Sequence, residues 1–479
     1  MRGHAQIIHK NLINQSTLHP KCQSIHLYLQ PQMRNTLQNK HFKETLSLAW
    51  PLILTQVGHI ITGMVDTIFL GQIGVAEQAA GIFANNIYVL VLVFGIGLSY
   101  ATTPLVTNAH ENNDLEEKAS LFKNSLFFNF TASVVLFLIL YFSVPLLNYL
   151  QQPQDVVALA TPFYEVLIFS MIPVSLFFVC KQYCEGLSNT RAALIVSVAG
   201  NLLNIILNYV LINGYLGLPA LGYMGSAWAT FIARCFMGIG FLVLIYKTGT
   251  INTIFTVWDK VKINTKHLGE LAKIGFNSAM QFSFEVAAFV VAGLMAGSFG
   301  KEQIDAHGIA LHIAAFTYMF GSGISSAATI RIGIYNAQNN WQEIKDAGLN
   351  AVKLVLLFMG GAGLIFLALH SYLPMIFSTE KAVVELAAQL LLIAALFQLF
   401  DGLQVTVIGI LRGIEDVKVP TVITLIGYWV IALGLSYVLA FTFQMKVIGV
   451  WIGLLMGLIF VGLTLFWRFR YLYRKNLKN

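Results

Sequence analysis

Leu391-Leu-Ile-Ala-Ala-Leu-Phe-Gln-Leu-Phe400-Asp401-Gly-Leu-Gln404-Val-Thr-Val-Ile-Gly-Ile-Leu-Arg-Gly413 is apolar and long enough to cross a bilayer, yet one carboxylate, Asp401, stands near its middle. A spanning helix needs roughly 20 apolar residues. An ionised Asp at the centre of such a helix costs roughly 2.5–3.5 kcal/mol on insertion scales. Protonation, or a partner with water, must offset that. Gln404 lies three residues on, on the same helix face, and is a candidate hydrogen-bond partner. Two other apolar stretches repeat the oddity, with Asp66 in 46–70 and Glu285 in 268–297. Three lone acids in three apolar spans are the functional signal of this chain.

The composition agrees. Of 479 residues, 57% are hydrophobic and 11% charged, against about 25% charged in soluble domains. Mean hydropathy is +0.71. The formal charge of +7 needs no nucleic acid to explain it, because basic residues flank membrane spans on the cytoplasmic side. Cys22, Cys180, Cys184 and Cys235 form no C-x-x-C pair, so neither a disulfide framework nor a metal cluster is expected.

Apolar runs follow one another at about 46–70, 82–107, 122–148, 158–184, 191–213, 222–247, 268–297, 306–336, 348–374, 383–411, 418–442 and 446–471. The sequence therefore predicts an all-α polytopic membrane protein of about twelve spans. Alternate loops carry the positive charge, including Lys40, Lys43, Lys118, Lys181, Arg191, Lys260, Lys262, Lys266, Arg331, Lys345, Arg412, Lys418 and the tail from Arg468 to Lys478. Lys301, Lys381 and Lys446 fall on the other side. This bias predicts both termini in the cytoplasm, and a plasma membrane, the bacterial inner membrane, as location. Residues 1–42 read as a polar, disordered tail, and residues 1–32 as a stretch upstream of the start at Met33.

The longest basic-side connection divides the chain into 43–247 (first lobe, six spans), a linker at 248–267 and 268–479 (second lobe, six spans and a basic tail). A shift of 226 residues lays Gly95-Ile-Gly-Leu-Ser-Tyr-Ala-Thr-Thr103 on Gly321-Ser-Gly-Ile-Ser-Ser-Ala-Ala-Thr329, with Gly, Gly, Ser, Ala and Thr in register. Glu185-Gly-Leu resembles Arg412-Gly-Ile. Six spans per half make the repeat parallel, about an axis along the membrane normal, as in transporters that rock two bundles around a central site.

Polar stripes mark the interior of each bundle. Thr55, His59, Thr62 and Asp66 share one face of the first span; Asn201, Asn204 and Asn208 share one face of the fifth. The seventh span carries Asn277 or Ser278, then Gln281 and Glu285. Carboxamides beside a carboxylate can bond its protonated form or offer oxygens to a hard cation. Facing carboxylates at Glu285 and Asp401 would not easily both ionise. Arg234 is the candidate counter-charge for Asp66 or Glu165, and His307 and His312 read as packing or hydrogen-bonding residues. Glycines such as Gly95, Gly321, Gly402 and Gly409 suit close helix approach, and Pro51, Pro104 and Pro173 suit kinks.

At this point the chain resembles the multidrug and toxic compound extrusion (MATE) family over about residues 43–472. The passages that carry the resemblance are Val65-Asp66-Thr67-Ile-Phe-Leu-Gly71, Glu185-Gly186-Leu-Ser-Asn-Thr190-Arg191, Asn204-Ile-Ile-Leu-Asn208-Tyr209 and Gly217-Leu-Pro219-Ala-Leu-Gly222-Tyr-Met-Gly225-Ser-Ala227-Trp-Ala229-Thr230. Glu285 with Asp401 is similar to the NorM-type branch. The resemblance implies a cation-coupling site in the second lobe at Glu285, Asp401, Gln281 and Gln404. It implies a coupling or substrate site in the first lobe at Asp66, Asn204, Asn208, Thr62 and His59. The function implied is secondary efflux of amphipathic, cationic compounds in antiport with H+ or Na+, by rocking of the two bundles. Sodium would sit at Glu285 and Asp401. Phe397 is a departure, standing where some relatives have a Tyr that helps hold the cation; it has no oxygen to ligate sodium and tilts the expectation toward protons. No cofactor beyond the coupling ion is expected, and a monomer in membrane lipid suffices. A flippase for a lipid-linked precursor is the rival reading, with a more basic cavity than Arg234 alone offers. An intramembrane enzyme could draw acid–base groups from His307, His312 and Glu285, but no nucleophile–base motif, metal cluster or phosphate loop accompanies them.

Overall fold

The computed structural model describes residues 20–150, 152–248 and 253–478, with side chains from residue 40 onward. The reading of residues 1–19 lies outside them. The first helix, α1, runs Pro20–Ile73 and begins inside the stretch read as a tail. The first lobe continues with α2 (Val75–Ser99), α3 (Thr102–Glu111), α4 (Leu115–Ser143), α5 (Gln154–Phe169), α6 (Met171–Gly186), α7 (Thr190–Asn213) and α8 (Met224–Lys247). The second lobe holds α9 (Thr265–Gly297), α10 (Lys301–Ala337), α11 (Trp341–Leu369), α12 (Lys381–Gly413) and α13 (Lys418–Leu425). It closes with α14 (Leu433–Tyr437) and α15 (Lys446–Asn476). Two π-helical segments, Ile426–Ala432 and Val438–Thr442, flank α14, so the eleventh span is underwound on either side of that short α turn. Among the described residues eleven helices are long and apolar enough to cross a membrane, and the pair α5–α6, bent by 41°, makes a twelfth if it is one span.

Two of the prolines fall where they cost least. Pro104 and Pro173 stand in the first turns of α3 and α6, where the missing N–H has no intrahelical partner to lose. Pro173 thus follows the α5–α6 bend rather than kinking a continuous helix.

The halves repeat one another contact by contact. Asp114 caps α4 by accepting from Glu117 N at 2.9 Å, and Asn340, 226 residues on, caps α11 by accepting from Glu343 N at 3.2 Å. The residues before these caps, Asn113 and Asn339, are both left-handed, at φ 54° and 51°, a conformation Asn tolerates. Thr103 donates to Gln182 O at 3.1 Å, and Thr329 to Gly409 O at 2.9 Å. A methyl group on Gly186 would stand 3.0 Å from Thr103 O; one on Gly413 would stand 2.8 Å from Thr329 O. Small residues at both places let the same helix pair close in each lobe.

The lobes meet along two seams, both on the side carrying the basic residues. On the first, Gln56 of α1 donates to Ser322 of α10 at 3.1 Å. Arg331 of α10 donates to His41 O (2.9 Å), His41 Nδ1 (2.7 Å), Thr45 Oγ1 (2.7 Å) and Glu44 Oε2 (2.7 Å). On the second, Gly97 of α2 lies against Ala279 of α9, and Gly275 against Leu98 O. Phe94–Phe276 and Tyr100–Phe282 edge-to-face pairs border it at 5.9 and 6.0 Å. The end of the linker is pinned to α4. Lys123 donates to Trp258 O and Val261 O, Asn264 N donates to Asn124, and His267 bridges Ser120 and Glu117. Among the described residues these cross-lobe bonds gather toward the terminus-bearing side. Arg331, Lys181 and Arg412 are buried in helices rather than exposed in loops; seam and core partners, not headgroups, receive the first two of these charges.

Candidate functional site

Each lobe gathers its acids in a separate chamber. In the first, α1 carries Asp66, α7 carries Asn204 and Asn208, and α8 carries Thr230. Asn208 Nδ2 donates to Asp66 Oδ1 at 2.7 Å and to Asn204 Oδ1 at 3.1 Å. Thr230 donates to Asp66 Oδ2 at 3.5 Å, and Asn204 Nδ2 to Thr230 Oγ1 at 3.3 Å. The stripes on the first and fifth spans therefore do meet, as their spacing predicts. Thr62 does not join them, because its hydroxyl donates to Gly58 O one turn back. His59 stands apart as well, edge-on to Phe177 at 6.1 Å with Nε2 buried and unpartnered. Arg234 makes no ion pair with Asp66 or Glu165. It donates to Ser170 Oγ at 2.6 Å and lies 4.8 Å over the Tyr88 ring, near enough to act on Asp66 through the field alone. Glu165 is exposed.

In the second chamber α9 places Glu285 and α12 places Asp401, both more than nine-tenths buried and within electrostatic range of one another. Gln404 is not Asp401's partner. Its carbonyl accepts from the Tyr428 hydroxyl at 2.9 Å, and Tyr428 is fully buried in the first π-helical segment. Tyr428 lies in a π turn, whose wider winding shifts side chains out of the α register and is a frequent mark of functional sites. Tyr318 of α10 faces both acids. Gln281 is buried with Nε2 unpartnered, Ser278 is buried beside it, and Asn277 faces outward. Phe397 packs edge-on against Phe289 at 6.1 Å and against Trp451 at 5.7 Å. Phe289 touches the Tyr428 ring at 6.1 Å too. His307 accepts from Trp451 Nε1 at 3.1 Å, a packing role, and His312 is exposed.

Sequence reasoning missed Thr230, Tyr318 and Tyr428. Thr230 stood inside a quoted motif, but tyrosines within aromatic-rich spans carry no signal that separates a site from ordinary packing.

Two pseudo-symmetric six-span lobes with lone acids at membrane depth define a polytopic membrane transporter rather than an enzyme. The chain belongs to the multidrug and toxic compound extrusion family: the MatE family model matches residues 51–210 and 278–438. A relative named probable multidrug resistance protein NorM, from Agrobacterium fabrum, is 30% identical over 445 residues, covering 92% of this chain and 96% of that protein. One of the same name from Mesorhizobium japonicum is 29% identical, covering 90% and 94%. Among solved structures, the eukaryotic MATE transporter AtDTX14 superposes with a TM-score of 0.83 at 19% identity, covering 92% of this chain and 98% of that one. A Vibrio cholerae MATE transporter does so at 0.83 and 20%, with the same coverage.

Proposed function

We propose that the protein is a secondary active multidrug exporter, moving amphipathic, cationic compounds out of the cell against an inward flow of H+ or Na+. The observation that carries this is the Glu285–Asp401 pair: two buried carboxylates face each other with no basic side chain in ion-pair range among the described residues. Such a pair calls for a proton, a metal cation or an organic cation, and competition between coupling ion and substrate for it is antiport. The names of the relatives in two bacteria support the multidrug reading. Carboxylate, phenol and carboxamide oxygens from Glu285, Asp401, Tyr428 and Gln404 suit Na+ as well as a proton. Each unit charge entering across 100 mV releases about 2.3 kcal/mol, so one coupled ion drives a useful gradient.

The charge bias of the loops supports cytoplasmic termini in a bacterial inner membrane. Cation binding at the two chambers then biases the lobes between outward- and inward-open states, with the two seams closing and parting. Dye efflux from everted vesicles under an imposed pH gradient, then an imposed sodium gradient, tests this for wild type and Asp401→Asn. Efflux driven by one gradient and lost in the variant establishes antiport and identifies the ion. Efflux under neither overturns the reading in favour of lipid translocation.

A further inference from the structure

Glu185 and Arg412 hold matching places at the ends of α6 and α12, 227 residues apart and each followed by its close-packed glycine. Their surroundings differ. One turn before Glu185 stands Lys181, and the two form a buried ion pair at 2.9 Å. One turn before Arg412 stands Ile408, which is apolar and buried. Among the described residues no carboxylate lies in ion-pair range of Arg412, and its Nε is buried without an acceptor. Arg412 is itself only 9% exposed. Its close neighbours are aromatic. The guanidinium carbon lies 4.4 Å over the Tyr100 ring, across the seam on the other lobe, and Tyr318 is nearby.

A guanidinium stacked on a ring satisfies its face and leaves its five N–H donors in the plane free. Neither Glu285 nor Asp401 forms an ion pair with it among the described residues. The inner end of α12 therefore carries a free cation on the helix that also carries Asp401, eleven residues and about 16 Å along the axis. We propose that Arg412 is an anion subsite, binding the carboxylate of an amphiphile whose cationic end occupies the Glu285–Asp401 chamber. It rests on the multidrug reading above and adds that molecules bearing both charges are preferred cargo. The ion pair at Lys181–Glu185 explains why no such subsite forms in the first lobe.

The test uses two dyes that differ in one group: rhodamine 110, with a free carboxylate, and rhodamine 123, its methyl ester. Binding to the full-length protein in nanodiscs is followed by fluorescence anisotropy. Arg412→Gln is expected to weaken rhodamine 110 by roughly 10–100-fold, the range of a lost charge-assisted contact. Rhodamine 123 should change by less than about twofold, and Arg412→Lys should recover part of the loss. Benzoate should displace rhodamine 110 but not rhodamine 123 from the wild type, a result that requires no variant to fold. Equal weakening of both dyes, or of neither, or benzoate competition that fails to discriminate, overturns the subsite. Wild-type binding of rhodamine 123 alone overturns it and leaves the multidrug reading standing; binding of neither dye overturns both.

Discussion

The two chambers share two pairs of corresponding spans, the first with the seventh and the fifth with the eleventh, and solve the burial of a carboxylate in opposite ways. In the first lobe Asp66 receives hydrogen bonds from Asn208 and Thr230, and Asn204 orders both donors. In the second, Glu285 and Asp401 face each other, and Tyr428 with Gln404 offers one short bond between them. The repeat places Glu285 on His59 and Tyr428, 227 residues on, at the position of Asn201. The architecture is therefore duplicated while the chemistry is not. A carboxylate with two donors has its hydrogen bonds met within the lobe, whereas the paired carboxylates have no basic partner among the described residues. On the reading proposed above, that difference favours the second lobe for ion coupling.

Replacing the acids is the direct way to break the comparison. Asp401→Asn should lower gradient-driven dye efflux by roughly 100-fold, and Asp66→Asn by roughly tenfold, because only the former removes a charge with no substitute donors. Equal losses in the same vesicle assay would mean that the chambers do the same work. The seams come next. Gly97→Leu pushes a side chain into the Ala279 backbone, and overpacking of that kind costs about 1–3 kcal/mol. Spin-label distances between α2 and α9 should lengthen on the basic side, while unaltered distances would show the lobes closing without that contact.

Tyr428→Phe sharpens the role of the π-helical segment. It leaves the Gln404 carbonyl buried and unpaired, at about 1–3 kcal/mol, so thermal stability and apparent affinity for the coupling ion should both fall. Loss of stability alone would make Tyr428 structural. The smallest effect concerns corresponding turns outside the membrane. Ser188 and Glu415 are both left-handed, at φ 60° and 62°. Burial and then the nearby Glu270 push the Glu415 carboxyl above the usual carboxylate range. A raised folded-state value means that the ionised form is penalised on folding, so native stability is lost as pH rises through the unfolded value near 4. Glu415→Asn, which tolerates φ > 0, should therefore stabilise by about 0.5–1 kcal/mol, more at pH 7 than at pH 4. Thermal unfolding at both pH values checks it, and Ser188→Asn serves as the control without a charge change.

Much of the fold was legible because a bilayer imposes simple demands. Every span needs about twenty apolar residues, so composition and run length announce the helices. Gly95–Thr103 and Gly321–Thr329 matched in register because the same helix pairs must close tightly in both lobes. The lone acids were legible for the same reason: Asp66, Glu285 and Asp401 are costly in lipid and stand out against apolar neighbours.

Partners were another matter. Helical spacing put Gln404 beside Asp401, but the tertiary structure turns it to Tyr428. Thr62 fits the polar stripe yet bonds its own backbone, and His59 is left with Phe177. Arg331 and Arg412 read as loop charges, whereas packing makes one the centre of the polar seam and the other a buried cation over Tyr100. The sequence by itself determined the membrane class, the doubled architecture and the acids at depth, since these follow from local hydropathy and short-range periodicity. Only the tertiary structure decided which acid meets which donor, and which cation is left without one, because those pairings join helices up to 290 residues apart and depend on helix rotation and on a π-helical register that no local pattern encodes.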